Sequence, residues 1–140
     1  MQITRQADYA LRAMLYLARV YDKKELRAAT KEIAENQEIP ASFLAKIISQ
    51  LSIAGLIQTS RGAKGGVRLA RKPEDISLLE VVEAIDGPIT LNECVDDPSV
   101  CVFGDNCPIH EVWCEAKTQL VRKLEESTFD KLLEIEKVKE

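Results

Sequence analysis

A helix that runs directly into a glycine-rich hairpin is the feature that most constrains how this chain can fold. Pro40 suits the first position of a helix, because the N–H that proline lacks has no partner there in any case. Up to Gly55, apolar residues recur at the spacing of a buried helical face: Phe43, Leu44, Ile47, Ile48 and Leu51. Leu56–Ser60 and Val67–Ala70 then have the composition of two strands, joined by the tight turn Arg61–Gly66. The segment predicts a helix followed at once by a small β-hairpin.

Two further helices are expected before this pair. The first is predicted over Thr4–Tyr21, with Thr4 as its N-cap and Asp8 near its positive end. The second is predicted over Thr30–Asn36, and a turn leads from it to Pro40. The order helix, short helix, turn, helix and hairpin is that of a winged helix-turn-helix. The predicted fold class is therefore mainly α with a small β-hairpin wing.

The outward face of the third helix is small, polar and mildly basic, which suits the major groove of DNA. Ser42, Lys46 and Gln50 lie on this face and can meet base edges or phosphates. In the hairpin turn, Arg61 and Lys64 stand among glycines and can contact phosphates or enter a narrow minor groove. Each surface alone also fits an ordinary solvated face or a plain turn. Their order along the chain favours double-stranded DNA as a partner.

The distribution of charge divides the chain into two parts. Residues 1–73 hold 13 Lys and Arg against 6 Asp and Glu, whereas residues 74–140 hold 6 against 17. A basic half joined to an acidic half indicates that only one of them meets a polyanion. We therefore expect a DNA-binding domain over 1–73 and a second functional unit over 74–140.

The acidic half contains all four cysteines and the only histidine of the chain, within 21 residues. They stand in the order Cys94, Cys101, Cys107, His110 and Cys114. In a reducing compartment such a cluster favours metal ligation over disulfides. Pro108 marks a helix entry, which places Cys107 at the positive end where the thiolate is favoured. Positions 107, 110 and 114 share one face of that helix.

Three kinds of site fit this spacing. The first is an iron–sulfur cluster with one ligand that is not a cysteine. The second is a structural zinc held by three cysteines and one histidine. The third is a thiol switch without metal, or a set of buried cysteines. The spacing alone does not separate iron–sulfur from zinc.

The remaining helices of the acidic half suggest a dimer. Ser77 opens a capping box before a helix over Leu78–Ile85, and residues 88–107 have the composition of a loop. A long helix is predicted over Pro108–Glu126, and a short final one over Thr128–Leu133. The long helix has an apolar stripe made of Ile109, Trp113, Ala116, Leu120 and Leu124. We expect this stripe to form a homodimer seam, which suits a palindromic operator, although it could instead pack on the first helix.

These features together resemble the Rrf2 family of winged-helix regulators, particularly its iron–sulfur members. The resemblance rests on Asp8–Met14 in the first helix, the Arg61–Gly66 wing, and Cys107-Pro108-Ile109-His110 with Trp113. It spans nearly the whole chain. It implies a homodimeric regulator whose DNA binding depends on a cluster and a long C-terminal dimerisation helix.

The resemblance also implies a ligand set. Cys94, Cys101 and Cys107 would be thiolate ligands, with His110 as the fourth ligand of a [2Fe-2S] cluster. Asp8 of a partner subunit is the alternative fourth ligand, in a [4Fe-4S] cluster, and Cys114 is a spare candidate. The family's iron–sulfur members differ from this chain at two places. Ala45 stands where one branch has a glutamate on the recognition helix, and Cys114 stands where it has an arginine.

Other classes of protein are disfavoured. No stretch approaches the roughly 18 apolar residues of a membrane span, and the N-terminal segment lacks the features of a signal peptide, so a cytoplasmic protein is expected. No nucleophile–base pair or phosphate-binding loop is visible, so an enzyme is not expected. The main alternative to a cluster-controlled regulator is a zinc-stabilised or thiol-redox regulator.

Overall fold

The computed structural model describes residues 2–25, 27–63, 65–100 and 102–139, with the backbone alone at 93, 98 and 105. The N-terminal half begins with three helices: α1 (Arg5–Asp22), α2 (Thr30–Gln37) and α3 (Ala41–Ile53). The predicted cap of the first is confirmed, because the Thr4 hydroxyl accepts a hydrogen bond from the Ala7 N–H at 3.1 Å. Pro40 lies one position earlier than expected, as the N-cap residue of α3.

The hairpin follows α3 as predicted. Strands β1 (Ile57–Ser60) and β2 (Gly66–Leu69) pair antiparallel. Ala28 adds an unpredicted bridge, because its N–H and carbonyl exchange hydrogen bonds with Val67 at 2.9 and 2.7 Å. Gly66 has φ +151°, and a Cβ there would come within 2.6 Å of the Ala28 carbonyl oxygen. The turn therefore needs glycine at this position for both space and conformation.

The C-terminal half is helical, and its connecting loop is more ordered than its composition predicts. A 3₁₀ turn at Pro73–Asp75 leads to four helices: α4 (Leu78–Asp86), α5 (Glu93–Asp96), α6 (Pro108–Glu126) and α7 (Phe129–Val138). The prediction of a plain loop over 88–107 was wrong, since α5 and two 3₁₀ turns lie there. The final helix runs five residues past the expected end at Leu133.

The hydrophobic core lies where α1, α3, the hairpin and α4 meet, and α7 closes it. Its largest fully buried side chains include Met14, Leu17, Ile33, Leu44, Ile47, Leu51, Leu56, Ile76 and Phe129. Phe43, expected in this core, is instead 42% exposed. The apolar stripe of α3 is wider than the surface available to cover it, so its edge residue remains outside.

The two halves of the chain are joined through α1. At its beginning, Thr4 donates hydrogen bonds from its N–H and hydroxyl to the Asp86 carboxylate, which ends α4. At its other end, the Arg19 guanidinium donates to both carboxylate oxygens of Glu136 on α7, at 2.8 and 2.6 Å. The helix that opens the DNA-binding half is thus tied to the elements that flank the cysteine segment. Within the described chain, no helix is long and apolar enough to cross a membrane.

Candidate nucleic-acid interface and metal centre

The structure leaves most of the expected major-groove face of α3 open to solvent. Ser42 and Lys46 are exposed. Gln50 is half-buried, and its Oε1 has no solvent contact and no hydrogen-bond partner among the described residues. The N-terminal part of α3 therefore offers free polar groups, whereas Gln50 must reorient its side chain to present its amide oxygen.

The hairpin presents cations on one strand and at its tip. Arg61 is exposed, and Lys64 lies outside the described residues. Sequence reasoning missed Arg68, which is also exposed and donates to the Gln58 Oε1 at 3.0 and 2.7 Å. The strand alternation could have identified it, because the register places Gln58 directly opposite Arg68. The wing thus carries an ordered cation in addition to the turn residues.

An aromatic pair braces α3 against α1. The Tyr9 and Phe43 rings meet edge to face with centroids 5.9 Å apart. The Arg12 guanidinium lies 4.8 Å from the Tyr9 centroid and donates to the Gln37 carbonyl at 3.2 Å. These contacts fix the angle between α1, the end of α2 and the start of α3, which sets how α3 is presented to a groove.

Asp8, the alternative fourth ligand, lies on the first turn of α1. Its carboxylate is 3.3 Å from the Arg12 guanidinium, and its side chain is 62% exposed. An exposed pair at this spacing contributes little to stability. The carboxylate therefore has a local role but remains open to a second subunit.

The described cysteines and the histidine lie on α5 and at the N-terminal end of α6, two elements that contact each other. Cys94 lies in α5, and Cys107 is the N-cap residue of α6, as predicted. His110 and Cys114 follow on α6, with the His110 Nε2 3.4 Å from the Cys114 Sγ. These four residues are all half-buried, and Cys101 lies outside the described residues.

This arrangement brings the candidate ligands into one region without closing a site. Among residues 2–25, 27–63, 65–100 and 102–139, no three His, Cys, Asp or Glu side chains are grouped closely enough to hold a metal ion. The Lys117 ammonium donates to the Asp96 carboxylate at 2.7 Å, which holds α5 against α6. The thiol and imidazole chemistry fits an iron–sulfur cluster or zinc, and binding either would draw the loop residues together.

His110 supplies the most direct sign of a ligand. Its Nδ1 is buried and has no hydrogen-bond partner among the described residues. A buried polar atom without a partner is costly, and native proteins keep few of them. A bound metal would satisfy this nitrogen.

In the neighbouring loop, hydrogen bonds from the Ser99 hydroxyl and N–H lower the pKa of Asp97, which keeps that turn anionic.

The apolar stripe of α6 is incompletely covered. Ile109 is 62% and Trp113 39% exposed, and the adjoining Val112 is 60% exposed. No residue of this 19-residue helix is buried. A contiguous exposed apolar face on a regular helix is typical of an interaction surface.

The sequence and the fold are similar to those of known proteins. The Rrf2 family, described as "Iron-dependent Transcriptional regulator", matches residues 3–135. The HTH-type transcriptional regulator NsrR of Halalkalibacterium halodurans is 36% identical over 134 residues, which make up 95% of this chain and 90% of that protein. The structure of T. potens IscR matches with a TM-score of 0.75 at 25% identity, covering 96% of this chain and 87% of that one. CymR, the global cysteine regulator of B. subtilis, matches with a TM-score of 0.80 at 26% identity, covering 94% and 95%.

These matches confirm the resemblance and the fold class expected from the sequence: a winged-helix domain with a long C-terminal helix. The matching family and the NsrR relative are named as transcriptional regulators, which supports DNA binding and agrees with the expectation that the chain is not an enzyme. The site residues remain predictions. Because the family match and the curated relative both extend over almost the full length, the chain belongs to the Rrf2 family of transcriptional regulators.

Proposed function

We propose that this chain is a homodimeric DNA-binding regulator whose hold on its operator depends on an iron–sulfur cluster. The observation that carries the proposal is the buried, unpartnered Nδ1 of His110, one turn from the half-buried Cys107 at the start of α6. The similarity to IscR and the description of the family as iron-dependent support the same chemistry.

The proposed ligands are Cys94, Cys101, Cys107 and His110. The resemblance to family members with a histidine ligand favours a [2Fe-2S] cluster over [4Fe-4S], with Asp8 of a second subunit or Cys114 as the alternative fourth ligand. When bound, the cluster supplies a centre that oxidants, nitric oxide or iron shortage can alter. The chain's own residues supply placement, because Cys107 stands at the N-cap position of α6 and the Lys117–Asp96 pair holds α5 beside that helix.

The proposed dimer joins two copies of α6 through its exposed apolar stripe. A second copy would cover Ile109, Val112 and Trp113, which the subunit itself leaves open. Two-fold symmetry then places two winged domains on one DNA duplex and favours a palindromic operator.

The proposed DNA contacts lie in residues 1–73, the basic half. Ser42, Lys46 and Gln50 would face the major groove, while Arg61 and Lys64 would contact phosphates or the minor groove. Residues 74–140 would sense and dimerise. The Thr4–Asp86 hydrogen bonds support communication between the two halves, because they join the start of α1 to the helix that precedes the cysteine segment.

Anaerobic purification tests the proposal. We expect a coloured protein with visible absorption and about equal amounts of iron and acid-labile sulfide. Its affinity for operator DNA should change about 5- to 150-fold after the cluster is removed, the usual range of allosteric coupling. Replacing Cys94, Cys101 and Cys107 together with alanine should abolish both the colour and the change in affinity. A colourless protein with stoichiometric zinc would refute the cluster.

A thiol-based regulator is the second candidate function. Two observations favour it: the 3.4 Å contact between Cys114 and His110, and the similarity to CymR, the global cysteine regulator of B. subtilis. Peroxide treatment of metal-free protein separates the two candidates. If DNA affinity changes together with oxidation of one thiol, and iron has no effect, the thiol mechanism replaces the cluster.

A further inference from the structure

We propose that Cys114 is a positioning residue for His110, which makes Nδ1 rather than Nε2 the metal-facing nitrogen. The inference rests on the proposed function, since it assigns a role toward the same cluster. The ligand set expected from the sequence assigns Cys114 no part in orienting His110. The structure supplies the reason in the contact between Cys114 Sγ and His110 Nε2 at 3.4 Å.

The two residues are four positions apart on α6, so they lie on one face of the helix, one turn apart. Both side chains are half-buried, and of the two ring nitrogens Nδ1 is shielded from solvent. The position of the imidazole therefore depends on the Cys114 sulfur.

The two nitrogens of His110 have different surroundings. Nε2 has a sulfur neighbour, whereas Nδ1 is buried without a partner among the described residues. If Nε2 carries the proton and donates it to the Cys114 sulfur, Nδ1 keeps an unprotonated lone pair, the form that binds metal. Metal-bound histidines commonly donate their other N–H to a neighbouring acceptor, which fixes the tautomer and the ring orientation. Here a cysteine sulfur takes the place of the usual oxygen acceptor.

The single histidine of the chain makes this arrangement measurable in the metal-free protein. With ¹⁵N-labelled histidine, two-bond ¹H–¹⁵N correlation at a pH where the ring is neutral should show one tautomer, protonated at Nε2. Cys114→Ala should give an averaged tautomer pattern, and Cys114→Ser, which keeps an acceptor, should restore the wild-type pattern. Thr118→Val, one turn further along α6, is the control and should leave the pattern unchanged. Protonation at Nδ1 in the wild type would overturn the proposal.

The cluster-loaded protein provides the second readout. Pulsed EPR of the reduced protein, with ¹⁵N placed at Nδ1 or at Nε2, should give the strong iron–nitrogen coupling from Nδ1 only. Loss of the cluster to a chelator should become about 10- to 100-fold faster in Cys114→Ala and return toward the wild-type rate in Cys114→Ser, as for other partners of metal-bound histidines. The thermal unfolding midpoint of the metal-free variants should stay at the wild-type value.

The outcomes distinguish this inference from the proposed function. Coupling from Nε2, or an unchanged rate of cluster loss in Cys114→Ala, would refute the role of Cys114 and leave the cluster in place. If His110→Ala keeps the cluster and Cys114→Ala loses it, Cys114 is itself the ligand and the proposal is wrong. If the wild-type protein takes up no cluster, the proposed function fails, and the tautomer measurement still decides whether Cys114 orients the ring.

Discussion

At the scale of single residues, Gly66 shows how closely the wing is fitted to the rest of the domain. Its φ is +151°, and an added Cβ would meet the Ala28 carbonyl oxygen at 2.6 Å. Gly62, in the same turn, has φ +99° but nothing within 4 Å of an added Cβ. Comparing substitutions at the two positions therefore separates the cost of backbone strain from the cost of steric collision.

We predict that Gly66→Ala destabilises the protein more than Gly62→Ala. Both substitutions introduce strain of about 1–3 kcal/mol at a positive φ, but only the first also pushes Ala28 away from β2. Urea unfolding followed by circular dichroism measures the difference. Equal unfolding midpoints for the two variants would mean that the Ala28 bridge gives way at no cost.

Tyr16 gives a residue-level prediction of pH dependence. Partial burial, aided by a hydrogen bond from its hydroxyl to Glu32, raises the pKa of Tyr16 from 10.0 to about 12. The folded state therefore holds this proton more tightly than the unfolded chain. The resulting stability is complete below pH 10 and is lost as the pH rises from 10 to 12. Over that interval the thermal midpoint should fall more in the wild type than in Tyr16→Phe, and parallel curves would contradict the prediction.

Several residue-level features could be predicted from the sequence, and others could not. The Thr4 and Ser77 caps were correctly predicted because a cap depends on residues three positions apart. The reciprocal half of the Ser77 capping box was not formed, since the Glu80 carboxylate pairs with Arg71 instead. Phe43 was wrongly assigned to the core, because periodicity gives the direction of a side chain but not the width of the surface that covers it.

At the scale of secondary-structure elements, the helices of eight or more residues were predicted within about five residues at each end, and the elements of three or four residues were missed. The four-residue α5 is too short to show a helical period, so 88–107 was taken as loop. The last turn of α7 was missed for a different reason. Its residues Glu134–Lys137 include three charged side chains, and the partners of Glu136 and Lys137 lie more than 100 positions away in the sequence, on α1.

The ion pair that attaches α7 to α1 can be tested through the pH dependence of stability. The hydrogen bonds from Arg19 lower the pKa of Glu136 below 4.5, against a smaller opposite effect of burial. This contribution to stability is present above pH 4.5 and disappears as the pH falls through the lowered pKa. At neutral pH, Glu136→Gln should reduce the free energy of unfolding by about 0.5–1 kcal/mol, because both side chains are about one-third exposed.

The control for this prediction is the second ion pair between the same helices. Lys137 lies 3.4 Å from Asp22, and both side chains are more than half exposed. Lys137→Gln should therefore change stability less than Glu136→Gln does. A deficit in Glu136→Gln that persists unchanged below pH 3 would show that lost packing, not charge, is responsible.

At the scale of the whole molecule, the charge division predicts how DNA binding responds to salt. Arg61 is exposed at the wing and has no hydrogen-bond or ion-pair partner among the residues that the structure describes, so it is available to a phosphate or to the minor groove. Arg61→Ala should weaken binding and reduce the slope of log affinity against log salt by about 1. Lys31→Ala removes an exposed cation from α2 and is the control. An unchanged affinity and slope for Arg61→Ala would refute the wing assignment.

Dimerisation gives the second prediction at this scale. Leu120 lies on the apolar stripe of α6, six residues beyond Cys114, so a charge there should not disturb the cysteine segment. Leu120→Glu should produce a monomer in sedimentation equilibrium and lose most of the affinity for a palindromic site. Gln119→Glu adds the same charge on an exposed neighbouring position and should remain dimeric. A dimeric, helical Leu120→Glu protein would place the subunit contact elsewhere.

The general architecture could be predicted from the sequence because its signals are local: periodicity, caps, turn glycines and charge. The assembled site could not be predicted to the same extent. Spacing places Cys107, His110 and Cys114 on one face, but the 3.4 Å contact between the last two depends on their side-chain conformations. The contact of α5, which holds Cys94, with α6 includes the Lys117–Asp96 pair, which joins residues 21 positions apart.

The 19 residues of α6 form a rod about 28 Å long, whose far end is fixed by the hydrogen bond from the Leu78 N–H to the Ser127 carbonyl at 2.9 Å. When such a rod rotates about Ser127, the end at Cys107 moves furthest. A tilt of about 4° at Ser127 displaces that end by about 2 Å, more than the length of a covalent bond between carbon atoms. A displacement of about 2 Å around the cysteines therefore requires a rotation of only about 4° at the opposite end, where the helix joins the rest of the domain.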